Sequence, residues 1–178
     1  MKIKTSNVLI AAIAGVFIVQ SAIAADGTIT INGQITDTTC GIAVNNGTKD
    51  ATVVLPTISA SALSTIDSVA GTTPFNIVLS GCTGVTLNNA YAYFEPGAKV
   101  EMTTGRLNSD GTATGVQVRL LNKNIAPIMV GSAGQGGVVG DISSGGTTLN
   151  YYAQYYANTA SVGPGTVTTQ VDYTIVYD

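Results

Sequence analysis

The sequence predicts an all-β domain, a sandwich or barrel of short strands. Threonine, valine, isoleucine, glycine and tyrosine are prominent, and charged residues make up only 10% of the chain, too few to furnish exposed helix faces. Apolar residues recur with period two in several separate stretches, which turn-forming residues interrupt at short intervals. No stretch carries a helical repeat of useful length.

The elements follow in chain order. Met1-Lys2-Ile3-Lys4 is basic, Val8 to Val19 is almost uninterruptedly apolar, and Ala22-Ile23-Ala24 has the small-x-small pattern at which a signal peptidase cuts. The apolar run is too short for a membrane span, so residues 1–24 are expected to be a secretion signal and 25–178 the working protein. Ile29, Ile31 and Ile35 then alternate with Thr28, Thr30, Asn32, Gln34 and Thr36, and Gly33 falls on the apolar face, as in a half-buried strand. Periodicity alone makes this an ordinary first strand pairing within its own domain. Asn46-Gly47-Thr48 fits a glycosylation sequon, but Asn-Gly is also a plain turn pair, and the turn is the simpler reading.

A strand is expected at Ala51–Leu55, stopped by Pro56, with one helical turn around Ser59–Leu63. Phe75, Ile77 and Leu79 share a face and lead to Cys82, and Tyr91–Phe94 makes the next strand, closed by Pro96-Gly97. After the turn at Ser109-Asp110-Gly111, Val116, Val118 and Leu120 alternate, and Ile125–Val130 is short and apolar. The glycine-rich stretch from Gly131 to Gly146 reads as surface loops, and it matches neither a dinucleotide fingerprint nor a phosphate loop. Leu149–Ala157 is a tyrosine-rich strand. Its Tyr151 and Tyr155 fall on one face and Tyr152 and Tyr156 on the other, which suits sheet packing better than a sugar-binding platform. Gly163-Pro164-Gly165 precedes a last strand with Val167, Val171, Tyr173, Ile175 and Tyr177 on one side.

Composition also excludes. Of seven basic residues, Lys2 and Lys4 fall in the leader, leaving five against ten acidic, so no basic footprint for nucleic acid exists. With no histidine there is no imidazole base and no Ser-His-Asp or Cys-His arrangement, and the carboxylates are scattered; no catalytic residues, metal ligands or cofactor are predicted. Two cysteines, Cys40 and Cys82, in an exported chain read as one disulfide, because zinc would need two further ligands. So low a charge, with 45% hydrophobic residues, suits a protein packed against something else.

Taken together, the run Gly27-Thr28-Ile29-Thr30-Ile31-Asn32-Gly33-Gln34-Ile35 before Cys40, the run Phe75-Asn76-Ile77-Val78-Leu79-Ser80-Gly81-Cys82, the stretch Gly115-Val116-Gln117-Val118, the penultimate Tyr177 and Gly165, fourteen positions from the end, resemble the structural pilins of chaperone–usher, type 1-like fimbriae. The resemblance spans the mature chain. It implies an incomplete immunoglobulin-like sandwich that lacks its final strand, completed by a donor strand from a neighbouring subunit. Residues 25–34 would be the donor arm, with Ala25, Gly27, Ile29, Ile31 and Gly33 facing the neighbour's groove, and residues 35–178 the domain. Gly165, Val167, Val171, Tyr173, Ile175 and Tyr177 on the last strand would form one groove wall, which a periplasmic chaperone contacts first. The implied partners are identical or related pilus subunits, the chaperone and an outer-membrane usher, with host glycans met through the fibre tip only. The implied role is a shaft subunit exported through the periplasm to a surface fimbria that supports adhesion. The alternatives are a minor or adaptor subunit and a secreted lectin-like module.

Overall fold

Two long antiparallel strands, each carrying an alternating apolar face, form the spine of the structure. They are β2 (Val69–Thr83) and β8 (Gly146–Ala157), registered with Phe75 opposite Tyr151 and Ile77 opposite Leu149. The computed structural model describes residues 29–84, 87–135 and 137–178. The expected signal at 1–24 and the arm positions Ala25 and Gly27 lie outside the described residues.

Around the spine stand β1 (Thr39–Val44), β3 (Asn89–Phe94), β4 (Val100–Glu101), β5 (Arg106–Asn108), β6 (Val116–Asn122), β7 (Gly140–Asp141) and β9 (Tyr173–Tyr177). One sheet has the order β1-β2-β8-β6-β5-β4 and the other the order β7-β3-β9. All these strands lie within one compact unit, Ile35–Asp178. The only helical turn among the described residues is a 3-10 turn at Ala60–Leu63, capped by the Ser59 hydroxyl. No helix of the described residues is long and apolar enough to cross a membrane.

The core follows the alternation. Phe75, Ile77, Leu79, Leu149, Tyr151, Ala153, Val118 and Leu120 point inward from the large sheet and meet Ala90, Ala92 and Phe94 of β3. Tyr151, fully buried, spans the sandwich: its ring stacks on Phe75 at 5.5 Å and meets Phe94 edge-on at 5.2 Å. The disulfide between Cys40 and Cys82, 42 residues apart, fastens edge strand β1 to the end of β2. Closing such a loop contributes about 3–4 kcal/mol on the loop-entropy model.

Three expectations change. Residues 29–34 carry no assigned strand, and Ile29 and Ile31 are 91% and 89% exposed, so the first alternating stretch is not a half-buried strand here. Ala51–Leu55 has strand alternation but no ladder. The glycine-rich stretch is only partly surface loop: Gln135, Val138 and Ile142 are buried and β7 lies within it. Gln135 explains the inward turn, because its amide accepts from Phe94 N (2.9 Å) and donates to Phe94 O, standing in for a strand where β7 has ended.

Burial pushes the Tyr151 phenol up to about 12. Folding thus favours the neutral form. Its contribution is intact below about pH 10, the free phenol value, and is lost as pH rises toward 12. In ultraviolet titration, Tyr151→Phe is expected to remove the last tyrosine step; a variant that keeps that step contradicts this assignment.

Candidate functional site: an open groove between the sheets

The edges decide where the site is. β1 ends one sheet and β9 the other, so each offers one side of its backbone to no neighbour. In the β3–β9 ladder the residues whose backbone groups bond to β3 are the even-numbered ones: Asp172 O accepts from Glu95 N (2.9 Å), and Asp178 exchanges both bonds with Asn89. The N–H and C=O groups of Tyr173, Ile175 and Tyr177 therefore turn the other way, toward the open edge.

The same phase continues upstream. Thr166 O accepts from Ala113 N (3.0 Å), Thr168 O accepts from Asp110 N (2.8 Å), and Thr168 N donates to Ser109 Oγ (3.1 Å). Val167, Thr169 and Val171 make no such bonds among the described residues. Their side chains continue the half-buried face of Tyr173 and Ile175, while Thr168, Gln170, Asp172 and Thr174 are exposed. From 167 to 175 the chain is thus one extended wall, inner side apolar except for Thr169, outer edge unpaired.

The opposite wall is Ala51–Leu55. Val53 and Leu55 are half-buried, Val54 is 78% exposed, and no backbone hydrogen bond joins residues 51–55 to any described strand. The sequence pattern holds as an extended segment, without a ladder. Ile42 and Val44 of β1 continue this side. Between the walls runs a groove of about 900 Å³ whose floor is Phe75, Ile77, Phe94, Leu107, Val118, Leu120 and Ala153. Two tyrosine hydroxyls brace the last strand against the far side: Tyr173 Oη donates to Lys49 O (2.8 Å), and Tyr177 Oη accepts from Cys40 N (3.2 Å). Desolvation, and secondarily the Asp50 carboxylate, raise the Tyr173 phenol above its ordinary value, which favours the neutral, donating form.

Of the expected wall residues, Val167, Val171, Tyr173 and Ile175 line this groove together. Tyr177 lies beyond the lining, at its bond with Cys40. Gly165 lies outside it too, where the chain crosses residues 112–113 so closely that a Cβ would sit 2.4 Å from Ala113 N; glycine is needed there for that crossing. Reading the sequence missed Thr169 and the entire second wall, although the alternation of Val53 and Leu55 was visible. The four tyrosines of β8 do not make a surface platform, since Tyr151 is fully buried and Tyr156 only 7% exposed. The guanidinium groups of Arg106 and Arg119 instead lie over the Tyr156 ring, at 4.2 and 5.1 Å, and its hydroxyl bonds to Asp67. No group of three or more metal-binding side chains exists among the described residues.

The groove is floored by core residues and edged by unpaired backbone on both sides. Comparison with known proteins agrees with that geometry. Among solved structures, the chain resembles a type I fimbria protein of Burkholderia pseudomallei, with TM-score 0.55 and 25% identity over 79% of this chain and 95% of that one. It also shares the fold of a chaperone-usher pilus subunit, with TM-score 0.60 and 19% identity over 86% and 96% of the two chains. The P pilus rod subunit PapA matches with TM-score 0.59 and 17% identity over 78% and 99%. The fold they share is the incomplete immunoglobulin-like sandwich. In sequence, the chain is 47% identical to the major fimbrial subunit SMF-1 of Stenotrophomonas maltophilia, covering 89% of this chain and 96% of that protein. It is 40% identical to the F17 fimbrial protein of Escherichia coli, covering 89% and 91%. The family model of FimA, type-1 fimbrial protein, matches residues 55–178. By family match, by relatives and by its open sandwich, the chain belongs to the type-1 fimbrial protein family and is a structural subunit of a surface fimbria.

Proposed function

We propose that this chain is a repeating shaft subunit in which residues 25–34 of one copy fill the groove of the next. The observation that carries the proposal is a double mismatch. The domain has an apolar groove with unpaired edges, and the same chain has an alternating segment whose Ile29 and Ile31 are almost fully exposed. Strand addition removes both defects at once: main-chain hydrogen bonds complete the edges, and alternate side chains enter the groove. Burying each isoleucine contributes about 1.5–3 kcal/mol, and each added backbone pair about 1 kcal/mol. Ala25, Gly27 and Gly33 would be the arm's other groove-facing positions.

Until a neighbour arrives, the edge invites non-specific β-pairing. A periplasmic chaperone lending a strand would shield it, and an outer-membrane usher would be where the arm replaces that strand. The reading makes the protein a structural element with no catalytic role and no cofactor. A shaft role is favoured over a minor or adaptor subunit because its 47% identical relative is a major fimbrial subunit.

Deleting residues 25–34 is expected to leave the subunit bound to its chaperone, seen by co-purification from periplasm, but to abolish heat-labile multimers on gels. Normal fibres from that deletion contradict the donor role. Ile175→Asp places a carboxylate in the apolar wall and is expected to lower the periplasmic subunit level roughly tenfold, judged by immunoblot. An unchanged level shows that no strand seats on this wall.

A further inference from the structure

A second cleft of about 340 Å³ opens where β1 ends against β2, lined mostly by polar side chains. Asn45, directly after β1, adopts a left-handed backbone (φ +49°). Its N–H donates to Asn76 O (3.1 Å) and its side-chain Oδ1 accepts from Asn76 N (2.9 Å). The Asn45 amide is thereby fixed at the cleft, with its Nδ2 unpartnered among the described residues. Asn76 lies opposite Asn150 in the β2–β8 ladder, and its Oδ1 is buried with no hydrogen-bond partner. Tyr152 and Lys123 also line the cleft. Lys123 takes part in no ion pair among the described residues, and no carboxylate lines the cleft, although the chain is acidic overall.

We propose that this cleft binds an acidic saccharide residue. The exposed Asn150 amide offers a donor and an acceptor and Asn45 Nδ2 a second donor, which suits the adjacent hydroxyls of a sugar ring. Tyr152 adds an aromatic body with a polar tip, and the unpaired Lys123 ammonium supplies a counter-charge for a sugar carboxylate. The volume falls at the small end of ligand pockets, fit for one ring. The site shares only Phe75 with the groove lining, so it stays open when a strand fills the groove. Repeated on every subunit, weak single-site binding becomes strong attachment by multivalency. This places saccharide contact along the shaft rather than at the tip alone.

The test uses fibres isolated from cells, titrated calorimetrically with methyl glucuronide and with methyl glucoside, which differ only by the carboxylate. The glucuronide is expected to saturate near one per subunit and to bind about fivefold tighter than the glucoside. Lys123→Gln should erase that difference, and Asn150→Ala should weaken both sugars about fivefold. Both side chains are exposed, and fibre yield checks that the variants assemble. No saturable binding, binding at one per fibre, or binding unchanged by both substitutions overturns the proposal. Fibre formation itself is read separately, so failure here leaves the donor-strand arrangement standing.

Discussion

An edge strand with unpaired N–H and C=O groups is a ready template for another chain, and from 167 to 175 this chain turns every second residue's pair toward the open edge of its wall. The opposite wall, 51–55, is in the same condition. Most domains avoid such an arrangement by closing the sheet or blunting its edges. Here the edges are long, apolar on their inner face and uncharged along the wall from Val167 to Val171, which makes them poor as surface and good as a docking seam. Packing against other pilus subunits, and a chain with only 10% charged residues, both fit that one deficit.

The remainder of the domain is built to hold the groove open. The β2–β8 spine and Tyr151 fix the floor from both sheets, so the walls do not collapse onto each other. The disulfide pins β1 beside the groove mouth, and Tyr173 and Tyr177 tie the last strand across to Lys49 and Cys40. Gly165 permits the close crossing that launches the last wall at residue 166. In the proposed exchange, a rigid groove would keep the register of the incoming strand fixed, because a slip by one residue would turn Ile29 and Ile31 away from the floor.

Much of this was legible in the sequence. Period-two alternation located β2, β6, β8 and the face carrying Val167 to Tyr177, because each is half-buried and has a partner on at least one side. It located Ala51–Leu55 as well but could not tell that its ladder was absent, since an unpaired strand and a paired one share the same side-chain pattern. For the same reason Ile29 and Ile31 looked like buried strand residues although they are exposed: periodicity reports a face to be covered, not which chain covers it. Gln135 and Thr169 were invisible for a different reason. A polar side chain that stands in for a strand, or sits in an apolar wall, leaves no repeat to read.

The measurement that bears hardest on this picture is denaturant unfolding of residues 35–178 with and without a peptide copying residues 25–34. If the domain lacks a strand that the arm supplies, the peptide should raise the unfolding midpoint sharply, in proportion to its concentration, and the bare domain should unfold in weak denaturant. A bare domain that unfolds cooperatively at high denaturant, with no response to the peptide, would mean that the groove is a finished surface and that the fibre is joined by some other contact.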